Sequence, residues 1–351
     1  MDFLVKNNLL HFFQTAYRAK HSTVDQWFYL SQSIINCFQE TPHRKTVAVF
    51  LDLSAAFDRV WRKKLVHIIH SNGIKGNALL WINDLLRARK FSVRFKGARL
   101  KSHRLWAGVP QGSVLCPLLF LMYVNTIHSH IHSDTRIACY ADDIAIWYTH
   151  RDTTTSQKAI NVTLKNIAIC PKDLKLSINA DKTTFCVFST DRKHRGTFNL
   201  DIKINDSPIK RIDFPTNLSI TLDPELRFTR HIVHTANKAL RKLSILRKLC
   251  GTTWGSRPKS IKNSFCSIIR PMLEYAAPIW NPSSQSSKID SVQHRASKII
   301  ILAVSSTNNN KTEQYEILTN WGYRIKLARP LPECMYPGPP YPLSFCEECE
   351  P

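Results

Sequence analysis

Two apolar runs that each end in carboxylates constrain this chain more than any other feature. Val49-Phe50-Leu51-Asp52-Leu53-Ser54-Ala55-Ala56-Phe57-Asp58 is the first, and Tyr140-Ala141-Asp142-Asp143 is the second. Val47 to Leu51 is β-rich and almost wholly apolar, which predicts a strand buried on both faces that delivers Asp52 at its C-terminal end. Ile137-Ala138-Cys139-Tyr140 and Ile144-Ala145-Ile146-Trp147-Tyr148 flank Asp142 and Asp143, so the acidic pair is predicted in a tight hairpin turn. An isolated Asp-Asp pair is most often a solvated turn, so the weight here comes from the combination. Three carboxylates at strand ends suit two Mg²⁺ ions, or Mn²⁺ in their place, about 3.5–4 Å apart. Such a pair activates an attacking 3′-hydroxyl and stabilises the departing oxygen of an in-line displacement. That is polymerase chemistry.

Upstream of the acidic hairpin lies Gly108-Val109-Pro110-Gln111-Gly112-Ser113. With both boxes present in this order, the chain resembles the reverse transcriptase of a non-LTR retrotransposon, most similar to the jockey-like elements of arthropods. The match runs from about Tyr17 to about Ile300. The resemblance implies the α/β palm of a right-hand polymerase, with partial fingers and a mostly helical thumb. It places a fingers remnant at 1–46, the palm at 47–223 with a fingers insertion at about 60–105, and a basic helical thumb and following block at 224–330. The implied activity is RNA-directed DNA synthesis, with an RNA template, a DNA primer and deoxynucleoside triphosphates as partners.

Site residues follow from the same resemblance. Asp52, Asp142 and Asp143 are the implied metal ligands and catalytic carboxylates. Lys182 stands where the family carries a lysine near the leaving pyrophosphate, able to donate a proton or neutralise charge. Phe57 matches an aromatic gate against the 2′-hydroxyl of an incoming nucleotide, with a core phenylalanine as the other reading. Gln111 and Gly112 match a loop bordering primer-template and nucleotide, where close backbone approach favours glycine. Asp58 is expected to cap the following helix. Arg18, in Tyr17-Arg18-Ala19-Lys20-His21-Ser22-Thr23, matches the end of the fingers motif, although Ala16-Tyr17 replaces the family's Gly-Phe. In Asn217-Leu218-Ser219-Ile220-Thr221-Leu222-Asp223, Ser219 replaces the glycine of a turn the family uses as a primer grip.

Charge agrees with a polyanionic partner: the formal net charge is +23, from 49 basic and 26 acidic residues. Between Pro224 and Ile300 there are 14 Lys or Arg against three Asp or Glu. Arg241, Lys242, Arg247 and Lys248 on a predicted helix there are the expected phosphate contacts. The ten cysteines show no disulfide-like spacing, and several sit in apolar runs, as expected of reduced thiols in an intracellular protein of cytoplasm or nucleus. Cys346-Glu347-Glu348-Cys349 is a lone CxxC and a weak zinc signal. No signal-peptide plan or membrane-length apolar run is present.

Local patterns predict the remaining elements. Ser22-Thr23-Val24-Asp25 reads as a capping box before a helix with Trp27, Leu30, Ile34 and Phe38 on one face, ending near Thr41-Pro42. Helices are expected at Leu65–Ile69 and Asn77–Arg89, and strands at Phe91–Phe95 and near Leu105-Trp106. Gly112 to Ile127 reads as a buried helix with Pro117 in its first turn. A helix from Thr153 to Ile169 and a strand from Phe185 to Ser189 complete the alternation of an α/β palm. Ala236, Leu240, Leu243, Leu246 and Cys250 form the apolar face of a later helix. Another, from Pro258, shows Ile261, Phe265, Ile268 and Met272 with a kink at Pro271. The Pro- and Cys-rich stretch 331–351 is expected to be disordered.

The resemblance has gaps. Little chain precedes the Asp52 strand, neither an endonuclease nor an RNase H signature is recognisable, and a truncated reading frame is the expectation. Three readings stay open: an active polymerase domain, a catalytically impaired remnant that binds nucleic acid, and another palm-type two-metal enzyme such as a nucleotidyl cyclase. The last has no use for the Gly-Val-Pro-Gln-Gly loop or a basic thumb.

Overall fold

The computed structural model describes residues 1–40, 43–132, 134–191, 198–250 and 256–305. The expected disordered tail, with its CxxC pair, lies outside the described residues. Two compact units divide the chain, Met1–His231 and Ile232–Pro351.

The first unit is built on a mixed five-stranded sheet. Its strands are β1 (Lys45–Leu51), β2 (Arg136–Tyr140), β3 (Asp143–His150), β4 (Thr184–Phe188) and the short β5 (Lys210–Arg211), in the order β5-β4-β1-β3-β2. The β1 strand is antiparallel to both neighbours, and β5 runs parallel to β4. Every residue of β1 from Thr46 to Leu51 is buried, as its unbroken apolar run predicts, because helices cover both faces of the sheet.

On one face lies α1 (Thr23–Gln39), opened by the Ser22 and Asp25 capping box. Trp147 Nε1 donates to Ser33 Oγ at 2.9 Å, and the Tyr29 ring meets the Trp147 ring edge-on at 5.2 Å between centroids. The other face, with Val47, Val49, Leu51, Ile144, Ile146, Phe185 and Val187, shares one core with buried residues of two further helices. Those helices run over Cys116–Val124 and Thr153–Leu174.

Several local expectations are corrected. The Cys116–Val124 helix begins later than Gly112, since Gly112 has φ +86 and cannot be helical, and it passes into a 3₁₀ segment over Asn125–His130. Pro117 sits in its first turn as expected. The strand predicted near Leu105-Trp106 falls instead at His103–Arg104, and Trp106 is exposed. Helices form over Arg62–Ser71 and Gly76–Leu86, where the patterns place them, but the second stops short of the expected Arg89, since Ala88 has φ +51. The strand expected over Phe91–Phe95 is divided into Lys90–Phe91 and Arg94–Phe95.

In the second unit the basic helix runs over Thr229–Lys248, its residues from Ile232 onward belonging to this unit. Ile232, Ala236, Ala239, Leu243 and Leu246 are buried, while Leu240 and Cys250 are only half-buried. The next helix, from Pro258, changes to π geometry over Phe265–Ile269 directly before Arg270–Glu274. A widened turn takes up the donor and the space that Pro271 denies the preceding turn. It also shifts the register: Ile269 and Leu273 are buried in place of Ile268 and Met272, and Ile268 is exposed.

Candidate active site

The sheet brings the three predicted carboxylates to one end. The β1 to β3 register ends with Leu51 paired to Ile144, so Asp52, just after the last paired residue of β1, and Asp143, at the start of β3, lie at the same end of the sheet. Tyr140 pairs with Asp143, leaving Ala141 and Asp142 as a two-residue turn in which Ala141 has φ +56. The Asp143 carboxyl is pushed up to about 6 by desolvation and then by the charges of Asp142 and Asp52. Burial is the larger cause, and the added like-charge repulsion places Asp142 and Asp52 within electrostatic reach of Asp143.

Side chains absent from the predicted set hold this arrangement in place. Gln14 is buried, and its Oε1 accepts from the Ala141 amide at 3.0 Å while its Nε2 reaches the Ala141 carbonyl at 3.4 Å. The backbone beside it closes the outer edge of β2, with Thr15 N donating to Cys139 O and Cys139 N to Phe13 O. The Tyr17 phenol is raised by burial and by the charge of Asp142, which puts it beside the turn. The sequence around Gln14 gives no signal of this role, because its partner Ala141 lies 127 residues away along the chain. At Asp52, the amide donates to Thr183 Oγ1 at 3.3 Å and the carbonyl accepts from Asn179 N at 2.9 Å. Asn179 Oδ1 also accepts from the amides of Asp181 and Lys182. Lys182 is therefore exposed on a turn tied to the Asp52 backbone.

The Gly108–Ser113 box folds against the segment after Asp52. Gly108 has φ +82, and a Cβ there would lie 2.8 Å from the Asp58 carbonyl oxygen and 2.9 Å from its Cα. Close approach within the chain thus falls at Gly108. Around Gly112 a Cβ would meet nothing within 4 Å, and its φ of +86 alone calls for glycine. Asp58 does not cap the next helix, whose N-cap is Trp61 without a side-chain bond; its carboxylate accepts from Gln111 Nε2 at 3.0 Å instead. Arg62 fixes the other side of the box by donating to the carbonyls of Leu105, Ala107 and Gly108. Phe57 is half-buried and stacks on Phe120 with centroids 4.0 Å apart.

Arg18 lines a recess of about 220 Å³ with Lys6 and His21, and one guanidinium nitrogen reaches the Gln14 carbonyl at 3.3 Å. Leu218 and Ser219 form the turn between Thr216-Asn217 and Ile220-Thr221, with φ +41 and +65. Serine there holds the left-handed conformation that glycine adopts freely. In the second unit, Arg241 and Lys248 are exposed and share a face two turns apart, with half-exposed Lys242 and exposed Arg247 to either side.

Among the described residues, no group of three or more His, Cys, Asp or Glu is arranged to hold a metal ion, Asp52, Asp142 and Asp143 included. Mg²⁺ in phosphoryl-transfer sites does not require such a cage: one or two carboxylates suffice, with waters and substrate phosphates completing the shell. All-oxygen donors whose mutual repulsion a cation would relieve fit that ion.

A sheet that gathers Asp52, Asp142 and Asp143 beside a Gly-Val-Pro-Gln-Gly loop defines a class, and residues 1–222 match the family model of reverse transcriptases (RNA-dependent DNA polymerases). The chain belongs to that family. It is 27% identical over 315 residues to the probable RNA-directed DNA polymerase from transposon BS of Drosophila melanogaster, covering 85% of this chain and 33% of the relative. It is 29% identical over 286 residues to the RNA-directed DNA polymerase from mobile element jockey of Drosophila funebris, covering 78% of this chain and 30% of the relative. The resemblance to jockey-like elements is thus borne out, and the chain spans about a third of the length of the curated relatives it matches. Among solved structures, telomerase from Candida albicans aligns over 91% of this chain and 52% of that chain, at 13% identity and a TM-score of 0.44. No helix among the described residues is long and apolar enough to cross a membrane.

Proposed function

We propose that this chain carries the RNA-directed DNA polymerase site of a non-LTR retrotransposon, adding deoxynucleotides to a primer 3′-hydroxyl on an RNA template. The observation that carries the reading is the strand pairing that puts Asp52, Asp142 and Asp143 at one end of the sheet in a chain of the reverse transcriptase family. Its relatives are named RNA-directed DNA polymerases. In this reading 47–223 is the palm, with a fingers insertion at about 60–105, residues 1–46 belong to the fingers, and the basic helix from Thr229 opens the thumb.

Asp52, Asp142 and Asp143 would hold two Mg²⁺ ions, or Mn²⁺ in their place. When bound, these supply positive charge to the attacking and departing oxygens. Gln14 keeps the Asp142 turn in position, and the Asn179–Thr183 clamp does the same for Asp52. The exposed Lys182 ammonium meets charge developing on the leaving pyrophosphate. Phe57, backed by Phe120, closes the sugar side of the nucleotide pocket. Gln111 and the open space at Gly112 admit template-primer and nucleotide, and Arg18 and the Arg241, Lys242, Arg247 and Lys248 cations contact phosphates.

Primer extension by the purified chain on an RNA template with Mg²⁺ tests this. The Asp142→Asn variant is expected to lose at least about 10²-fold in rate, the scale at which one charge-stabilising group registers, while melting and hybrid binding stay close to the parent. Extension at the parent rate would overturn the site. Hybrid binding without extension by the parent would identify a catalytically impaired remnant.

A further inference from the structure

The stretch from Arg87 to Trp106 carries eight Lys or Arg and no carboxylate, and it folds as a hairpin. Lys90 and Phe91 pair with Arg104 and His103, and nearer the tip Arg94 and Phe95 pair with Arg99 and Ala98. Lys96 and Gly97, at φ +45 and +84, form the tip turn. The pairing places Lys90 directly opposite Arg104, and Arg94 directly opposite Arg99. Like charges in such positions destabilise a ladder. The two ladders differ in register by one residue, but Lys90 and Arg94 lie an even number of residues apart on one side of their strand, and Arg99 reaches across to the residue between them, Nε donating to Ser92 Oγ at 2.8 Å. No acidic residue in the hairpin relieves them. The Arg62 guanidinium at the hairpin's base, lowered first by burial, also feels Arg89 and Arg104 as like charges.

Trp106 adds a second kind of surface. Its side chain is 78% exposed, and the Arg104 guanidinium lies 4.6 Å from the ring centroid. The guanidinium steadies one side of the indole, leaving the rest of it open to solvent. A face of uncompensated cations beside an open indole matches a partner with regularly spaced negative charges and unstacked aromatic rings. A duplex keeps its bases stacked; a single strand offers both features.

We propose that this hairpin face and Trp106 form a binding platform for a single strand of nucleic acid. Phosphates lie along Lys90, Arg94, Arg99 and Arg104, and one base stacks on the open side of the Trp106 indole. The proposal rests on the polymerase reading only for the class of polyanion, and none of its residues belongs to the carboxylate site. The hairpin's other face exposes Phe91, Val93, Phe95 and Leu100, so an anionic membrane is the occupant that the test has to distinguish.

The test measures fluorescence anisotropy of a labelled uridine oligonucleotide, a blunt duplex of equal length, and phosphatidylserine vesicles against the full chain in EDTA over a range of salt. Trp106→Ala is expected to weaken the oligonucleotide by about 5- to 150-fold, the usual range for loss of one base-aromatic stack, and to affect the duplex less. Trp106→Phe should restore most of the loss. Arg94→Gln with Arg99→Gln should lower the salt slope of log affinity by about 1.4, roughly 0.7 for each single-strand phosphate contact. Unchanged melting of each variant attributes the losses to the surface. Parent-like oligonucleotide affinity and slope, an equal loss on the duplex for Trp106→Ala, or a loss confined to vesicles would each overturn the proposal. Working without metal or nucleotide keeps the outcome separate from the polymerase reading, and Asp142→Asn should bind the oligonucleotide as the parent does.

Discussion

Gly108 and Gly112 have nearly the same backbone angle and very different surroundings, so alanine at each separates strain from collision. At φ +82 and +86, either alanine meets left-handed strain of about 1–2 kcal/mol. Only at position 108 does the new methyl also strike backbone, 2.8 Å from the Asp58 carbonyl oxygen and 3.1 Å from the carbonyl carbon. Backbone cannot swing aside like the end of a flexible side chain, and forced overpacking adds about 1–3 kcal/mol. Gly108→Ala should therefore destabilise by about 2–5 kcal/mol and Gly112→Ala by about 1–2. For a unit of this size, 1 kcal/mol corresponds to roughly 2–4 °C in melting temperature. Calorimetry of both variants beside the parent should show the larger fall for Gly108→Ala. Equal falls would refute the contact between the Gly108 loop and Asp58, and with it the account of how the box is seated.

Replacing Gln14 with Leu leaves the buried amide and carbonyl of Ala141 unpaired, at a cost of about 1–3 kcal/mol each; primer-extension kinetics should lose kcat more than KM, and a parental kcat would remove Gln14 from the positioning of Asp142. Asp143 holds its proton up to about 6 against an ordinary 3.8, so between those values the unfolded chain has released a proton that the folded chain retains. Over the same window the His11 imidazole, lowered from 6.5 to about 4, acts with the opposite sign, so the Asp143 contribution is read as the stability difference between the parent and Asp143→Asn in chelator. That difference should fall as pH rises from 3.8 to about 6, and Mg²⁺, which requires the carboxylate, should oppose the fall; a difference that rises over this window in denaturant melts would contradict the assignment. Ser219→Gly should relieve the left-handed strain of about 1–2 kcal/mol and return part of it through a freer unfolded chain, for a net gain of up to about 1 kcal/mol in a urea melt. A net loss would show that the Ser219 side chain stabilises the turn.

Short-range patterning in the sequence determined the parts of the site that follow local rules. The β1 run is apolar at successive positions because both faces of the sheet are covered, and the Asp142 turn is bracketed by two strand-forming segments. The Ser22 and Asp25 cap closes within one helical turn. Other features depend on residues distant in the chain, and tertiary structure alone decided them. Gln14 meets Ala141, Arg62 gathers three carbonyls of the 105–108 segment, Thr183 fixes the Asp52 amide, and Asp58 turns from a helix cap into a partner for Gln111. The buried face of the helix after Pro258 changed for a similar reason, since an i, i+3, i+4 pattern assumes a constant pitch and the π turn before Pro271 breaks it. Local patterning records what each residue does to its neighbours along the chain. A polar group buried against distant backbone leaves almost no trace in that pattern, because its partner is supplied only when the sheet assembles.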